Sequence, residues 1–373
     1  MKKILIVNQN AGYLAVDVAN AYAEKYDEVV AFYGYIRFTE RFFHTKVKVH
    51  KSVRYDRSNV FKRILTWVAF TIHLFFLLLL KYRRHDVVYY TNPPMSYWCS
   101  LFFSNKFSVV VFDTYPDALK LINVGDKQYI YKLWANVNRI VFKKATKLIT
   151  LSTGMKNLLT QYVSASKIRV VPVWPASEKF GPVKKNKNIF LQRLQLEDKF
   201  IVMYSGNMGF GHSLECILEV AKLTKDNKNI HYLFIGEGNK KELLISLKEK
   251  YSLKNVDFLP WQDSEVLPFS LAAADIAIVS LGSEASNLSV PSKTYNFMAV
   301  GAPLLCIADG ASELSKLVKK HNNGTCFKDS DLVGIKTFIV TLSSNDTLKN
   351  KLTSNSLKAA KNFHYSNADQ YLC

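Results

Sequence analysis

Phe200-Ile201-Val202-Met203-Tyr204-Ser205 runs into Gly206-Asn207-Met208-Gly209-Phe210-Gly211-His212-Ser213-Leu214, and the reading of this stretch decides the fold. An apolar run of strand length ends in a loop with three glycines, and a helical pattern opens near residue 213. Such a strand–loop–helix step belongs to a parallel sheet. The glycines let backbone amides approach a ligand closely, and a helix N-terminus favours negative charge. His212 stands beside that terminus, where it can donate to a phosphate oxygen. The spacing is neither GxGxxG nor GxxxxGK[ST]. Taken alone, the loop also reads as a tight strand–helix turn.

Working outward, the same alternation extends both ways. Downstream, apolar strands are predicted over 230–235, 256–259, 276–280 and 303–308, with Gly236-Glu237-Gly238 closing the first. Upstream, strands are predicted over 3–8, 29–33, 87–90, 108–112, 147–152 and 168–172, with a helix over 13–25 after the polar loop that holds Gly12. Between the two series lie Pro172, Pro175, Gly181, Pro182 and the run Lys184-Lys185-Asn186-Lys187, the best linker candidate. The expected fold class is therefore α/β, with two Rossmann-like domains facing a central cleft, residues 1–176 and 177–350. In open sheets of this kind ligands sit beyond the carboxyl ends of the strands.

The chain has 373 residues, enough for two domains; its 49% hydrophobic content excludes wholesale disorder. Charge is uneven. Residues 1–180 hold 27 basic and 11 acidic side chains, and the remainder 23 and 19, so most of the net +20 sits in the first half. That half faces something anionic: nucleic acid, a phosphorylated substrate or acidic lipid. No RNP, KH or C₂H₂ pattern is visible and the excess is spread, so nucleic acid is not expected as a partner. Cys99, Cys216, Cys306, Cys326 and Cys373 form no CxxC pair, and their odd number suits a reducing compartment rather than a disulfide framework. Met-Lys-Lys runs straight into Ile4-Leu5-Ile6-Val7, too short for a signal peptide core.

One segment stands apart. Over residues 64–80 only Thr66, Thr71 and His73 are polar, with Lys62-Arg63 before and Lys81, Arg83 and Arg84 after. A spanning helix needs about 20 apolar residues, and a span here would cut a Rossmann unit in two. Two other readings compete: a buried core helix, and a helix in the membrane interface with basic ends.

A second loop matches the first in interest. After the strand at 276–280 come Gly282-Ser283-Glu284-Ala285-Ser286-Asn287-Leu288-Ser289-Val290, then Pro291-Ser292-Lys293-Thr294. Proline suits a helix start, so Ser292, Lys293 and Thr294 present free amides, and Lys293 adds a full charge. That is a cradle for a diphosphate. Glu284, an acid in the same loop, is placed to hold sugar hydroxyls. The alternative is an ordinary capped helix with a solvated lysine. Neither loop carries a DxD pair, so no metal is called for.

These residues resemble the family-four retaining glycosyltransferases of the GT-B fold. Residues 204–215 are similar to the strand–GN-x-G-x-x-H–helix loop of one branch. Phe234-Ile235-Gly236-Glu237-Gly238, Val256-Asp257-Phe258-Leu259-Pro260 and Ala273-Ala274-Asp275-Ile276 resemble the segments that follow it. Residues 290–303 resemble its PSK-x-x-x-x-x-A-x-G-x-P segment. In the first half, Tyr90-Thr91-Asn92-Pro93-Pro94 and Asp113-Thr114-Tyr115-Pro116-Asp117 resemble loops of the bacterial polysaccharide, colanic-acid type. The family's Glu-x7-Glu falls on Leu288 and Asn296, and its first-loop Arg and Lys fall on Asn207 and His212.

The resemblance implies a nucleotide-sugar donor, UDP- or GDP-linked, and no cofactor. It places Gly12, Asn207, Gly209, Gly211, His212, Gly236, Glu237, Pro260, Ser292 and Asn296 in donor binding, and Asp113, Lys293 and Glu284 at the chemistry. Asp113 occupies the place of a histidine near the transferred sugar. The tail, 351–373, is expected to be a helix returning to the first domain. Together with the basic first half and the apolar segment, the resemblance implies a lipid-linked saccharide acceptor, carried on a polyprenyl diphosphate. It also implies an anionic membrane surface as partner, with the enzyme peripheral or monotopic on the cytoplasmic face of the inner membrane. An epimerase acting on nucleotide sugars, or a non-catalytic membrane-bound relative, are the alternatives.

Overall fold

A computed structural model of the protein describes residues 1–37, 40–56, 58–117, 128–282 and 290–372. The chain divides into two units: Met1–Ala176 together with the chain from Tyr365 on, and Ser177–His364.

The first unit runs β1 (Lys3–Ala11), α1 (Tyr13–Lys25), β2 (Glu28–Ile36), β3 (Val47–Lys51), α2 (Val60–Leu80), β4 (Asp86–Tyr90), β5 (Phe107–Val111), α3 (Gln128–Lys144), β6 (Lys147–Thr150), α4 (Thr153–Leu159) and β7 (Ile168–Val170). Its seven strands are ordered β3-β2-β1-β4-β5-β6-β7, all parallel. The central strands are apolar on both faces because helices cover both faces of a parallel sheet. Val87, Val88, Tyr89 and Tyr90 of β4 are each at most 1% exposed. The edge strand β3 is not among the predicted strands. Only Val47 of its five residues is buried, so no apolar run marks it.

α2 starts where Asn59 caps it, its side-chain oxygen accepting from the Lys62 amide at 2.8 Å. Trp67, Phe70, Leu74 and Leu78 are buried at helical spacing, and Phe70 packs on Phe32 of β2, ring centroids 4.7 Å apart. The buried-core reading of this segment fails. Phe61, Leu65, Ile72, Phe76 and Leu80 are each more than half exposed. Of the described helices, α2 is the one long and apolar enough to cross a membrane. α3 repeats the pattern on a smaller scale, with Tyr129 and Leu133 exposed and Trp134 turned inward. Both helices pack on the 3-10 turn Ser96–Leu101, where Trp98 meets Trp134 edge to face.

The second unit runs α5 (Ile189–Leu194), β8 (Phe200–Ser205), α6 (Glu215–Leu223), β9 (Ile230–Ile235), α7 (Lys241–Lys250), β10 (Val256–Leu259), α8 (Leu267–Ala272), β11 (Ile276–Ser280), α9 (Lys293–Ala299), β12 (Leu304–Ile307), α10 (Glu313–His321), β13 (Gly324–Phe327), α11 (Leu332–Ser344) and α12 (Asp346–Ala360). Its sheet is again parallel, ordered β10-β9-β8-β11-β12-β13. In that order the chain reverses direction between β8 and β11, the position where open sheets bind ligands. The two loops singled out in the sequence leave the carboxyl ends of these two strands. Asn322, with φ 47°, ends α10, and the turn at His321-Asn322-Asn323-Gly324 leads directly into edge strand β13.

The boundary expected at 350 falls inside α12, which belongs to the second unit. The return to the first unit is made by the 3-10 segment Tyr365–Tyr371 rather than by a long helix. Tyr22 donates its hydroxyl to the Tyr371 carbonyl at 2.8 Å, and Lys147 Nζ donates to that of Leu372 at 3.1 Å. Trp174, fully buried, packs edge-on to Tyr371 and donates Nε1 to Asp17 Oδ2 at 2.8 Å.

Candidate donor site

Four neighbouring strands, β10, β9, β8 and β11, end beside one another. Their loops carry Pro260, Gly236-Glu237, the segment 206–214 and, beyond residues 283–289, Ser292-Lys293. Close packing of backbone on backbone holds the loops. Gly206 N donates to Ile235 O at 2.9 Å, Met208 N to Glu237 O at 2.8 Å, and Gly236 N to Leu259 O at 2.9 Å. At Gly236, φ is 130° and an added Cβ would collide with the Gly206 carbonyl. Glycine is therefore required there by both conformation and space.

Lys293 is the centre of the arrangement. Its stem is partly exposed but its Nζ is buried, with no hydrogen-bond partner among the described residues. The amine lies 3.9 Å from the centroid of the Tyr204 ring. An added Cβ at Gly206 would collide with it. Burial lowers the Lys293 pKa to about 7. A buried ammonium without a counter-charge is rare outside functional sites, because the lost hydration is otherwise uncompensated.

His212 Nδ1 lies 2.9 Å from the Ser280 carbonyl, so Nδ1 carries the hydrogen and the neutral ring presents Nε2 as an acceptor. Burial, and then the charge of Lys293, push its pKa down. The sequence predicts His212 as a phosphate donor; in this tautomer it donates only once protonated, which an incoming anion favours. Ser280 Oγ accepts from the Ser213 amide at 3.0 Å, so the end of β11 pins the loop from β8. Lys240 Nζ braces the same loop through the His212 carbonyl at 2.8 Å and Glu215 at 2.7 Å.

The helices begin later than predicted, α6 at Glu215 and α9 at Lys293. Thr294 N bonds Pro291 O at 3.0 Å and His212 N bonds Gly209 O at 3.1 Å, so neither amide is available to a ligand. Gly209 and Gly211 stay on the open side of the loop, as does Asn207, whose carbonyl takes the Tyr204 hydroxyl at 2.6 Å. Glu237 faces solvent in an ion pair with Lys241 at 2.7 Å. Asn296 lies one turn into α9, half-buried. Glu284 and Leu288 lie outside the described residues.

Tyr204, Ser280 and Lys240 are not singled out by the sequence. Trp261 joins them, half exposed beside Gly236. Adjacency to motif residues is the one signal that could have found them.

Gly12 and Asp113 belong to the first unit. Gly12 follows β1, and its carbonyl accepts the first bonds of α1. Asp113 follows β5, its amide donating to Thr91 Oγ1 at 3.1 Å, which ties it to the end of β4. The Asp113 carboxyl reaches solvent, yet surrounding protein removes enough hydration to raise its pKa. Tyr115 lies beside it, its pKa raised by burial and then by the charge of Asp113, with Arg63 acting the other way. Trp67 stacks on Tyr55 with an interplanar angle of 8° and meets Tyr115 edge-on. Among the described residues no three His, Cys, Asp or Glu side chains gather in one place.

Comparison with known proteins agrees with this geometry. Residues 186–359, nearly the whole second unit, match the family described as Glycosyl transferases group 1. The chain is 27% identical over 274 residues to the probable glycosyltransferase WbjE of Pseudomonas aeruginosa, covering 69% of this chain and 66% of that protein. It is 30% identical over 171 residues to WcaI of Escherichia coli K12, named as a candidate colanic acid biosynthesis glycosyl transferase, covering 45% of this chain and 42% of that one. These matched stretches span less than two thirds of either relative. Among solved structures, Anabaena HepE in complex with UDP-glucose superposes with a TM-score of 0.73 at 14% identity, over 100% of this chain and 98% of that one. The fold is thus that of GT-B glycosyltransferases, and the second unit of the chain matches the family of group 1 glycosyl transferases.

Proposed function

We propose that the protein transfers a hexosyl or N-acetylhexosaminyl group, with retention, from a UDP- or GDP-linked donor to a saccharide on a polyprenyl diphosphate. In this reading it works in bacterial surface polysaccharide assembly (capsule, O-antigen or exopolysaccharide), on the cytoplasmic face of the inner membrane. The observation that carries the donor half is the unpartnered Lys293 amine at the switch point of the second sheet. As the anomeric bond breaks, negative charge grows on the departing diphosphate. A fixed cation and preorganised donors at that oxygen are the largest stabilising effect available. Lys293 supplies the cation, the Gly209–Gly211 stretch supplies amides, and protonated His212 adds a donor. The scheme includes no metal: Lys293, once protonated, offsets part of the charge on the leaving group. Asp113 and the aromatic group of Tyr55, Trp67 and Tyr115 face the acceptor in this scheme.

The exposed apolar face of α2 supports the membrane half. Lys62, Lys81, Arg83 and Arg84 stand at its two ends. Apolar side chains in the interface and basic ones at the headgroups describe a monotopic helix. The names of WbjE and WcaI, and the UDP-glucose held by HepE, support the substrate class.

Thermal shift with a panel of UDP-, GDP- and dTDP-sugars tests the donor. At a concentration about 100 times Kd, the correct one adds about 2.7 kcal/mol of stability. Lys293→Ala should abolish that shift, along with nucleotide release in the presence of membrane lipid extract; EDTA should change neither. A wild-type chain that no nucleotide stabilises, with lipid or without, overturns the reading in favour of a non-catalytic relative.

A further inference from the structure

Lys293 is held by an aromatic ring where a carboxylate would be the ordinary partner. The Tyr204 ring is itself held on several sides. It is fully buried, its hydroxyl donates to the Asn207 carbonyl at 2.6 Å, and Phe234 lies 6.3 Å away, centroid to centroid. Gly206 leaves the space in which the amine rests on that ring. The other titratable groups facing this place are known. His212, from the loop after β8, has its Nδ1–H committed to Ser280 O. Lys240, from the start of α7, is held by the His212 carbonyl and Glu215. Among the described residues no carboxylate pairs with Lys293.

A carboxylate partner would have to be displaced before the amine could meet a diphosphate. A ring face attracts a cation through its quadrupole and tolerates a neutral amine as an apolar contact. It therefore orients the amine in either state without competing for it. We propose that Tyr204 is a positioning residue for the donor, its ring setting the Lys293 amine where the diphosphate is received. This role rests on the nucleotide-sugar reading above. One consequence follows for pH. Because burial already lowers the affinity of Lys293 for its proton, an arriving diphosphate draws a proton onto the amine above neutral pH, and binding weakens as pH rises.

The test uses the full chain labelled with ¹³Cε-lysine, with Lys293 assigned by its loss in Lys293→Met. The Lys293 methylene protons should be shifted upfield of the other lysines by the ring current, and should titrate near pH 7. Tyr204→Phe should keep both features. Tyr204→Met, which keeps bulk but removes the ring, should lose the upfield shift. In parallel, Kd for UDP and GDP is measured from pH 7 to 9, where a terminal phosphate with a second pKa of about 6 is already ionised. Tyr204→Phe should bind as the wild type does. Tyr204→Met should bind about tenfold more weakly, and should add no further loss in a chain that already carries Lys293→Met. A Lys293 signal within the bulk lysines of the wild type overturns the proposal, even if Tyr204→Met fails to fold. So does a Tyr204→Phe variant as weak as Tyr204→Met. If neither nucleotide binds the wild type while the ring shift is present, the donor reading has failed and the positioning role falls with it.

Discussion

An ammonium moved from water into protein without a partner destabilises the folded state, and Lys293 is such a group until a ligand arrives. The sign follows from linkage. Its folded pKa, about 7, lies below that of lysine in an unfolded chain. Between those values the unfolded state binds one more proton, so the contribution of this group to stability rises with pH. The loss is therefore full below neutral pH and disappears above about pH 10. Lys293→Met should stabilise the ligand-free second unit by roughly 2–4 kcal/mol near pH 7, at about 1.4 kcal/mol per pKa unit, and by progressively less toward pH 10. Calorimetric melting at pH 7 and pH 9.5 checks this; an advantage that grows with pH would contradict it. The sequence marks Lys293, by its place after Pro291-Ser292, as the cation of a diphosphate cradle, but does not show that its amine is buried. Its burial depends on Tyr204, 89 positions earlier in the chain, and on the missing side chain of Gly206. Such tertiary partners leave no local trace.

At the scale of elements, the strands that sequence shows best are those buried on both faces. β1, β4, β8 and β11 each contain an unbroken apolar run of four residues or more, while the half-exposed edges β3 and β13 do not. α2 sits between these cases. Its composition alone does not separate a core helix from an interfacial one. The register does: positions 67, 70, 74 and 78 are buried, leaving an apolar face without a protein cover. An uncovered apolar face of this size calls for a partner surface. In the proposed function that surface is anionic lipid, which the basic residues at both ends favour over a second apolar protein face. Replacing Phe61, Leu65, Ile72 and Phe76 by Gln removes side chains each worth about 1.5–3 kcal/mol when buried in an apolar medium. The variant should lose cosedimentation with vesicles rich in acidic phospholipid at low salt, while its nucleotide-induced thermal shift stays intact. Both proteins remaining in the supernatant would rule out the membrane role of α2. Loss of the thermal shift as well would mean that the substitutions had disturbed the fold.

At the scale of the whole molecule, the chain visits the first unit twice, at Met1–Ala176 and again from Tyr365 on. The return is legible in sequence as a tendency of the family, not as a site, because nothing in Phe363-His364-Tyr365-Ser366 announces what it packs against. The structure supplies the seat. Tyr371 is fully buried against Trp174; Arg169 donates to the Gln370 carbonyl at 3.0 Å, and the guanidinium of Arg41 lies 5.1 Å from the Tyr365 ring. The tail thus completes the core beside α1 in place of a further helix. Removing a buried aromatic side chain typically destabilises by about 3–5 kcal/mol, and Tyr371→Ala should lower the first unit by that amount. A chain stopped after His364 should lose at least as much, since the carbonyls that Tyr22, Lys147 and Arg169 bond go with it. Calorimetry can assign the effect, because the melting transition raised by Lys293→Met belongs to the second unit. Tyr371→Ala should lower the other transition and leave that one in place. If the Lys293-sensitive transition falls instead, the last residues support the second unit, and the chain does not divide between His364 and Tyr365.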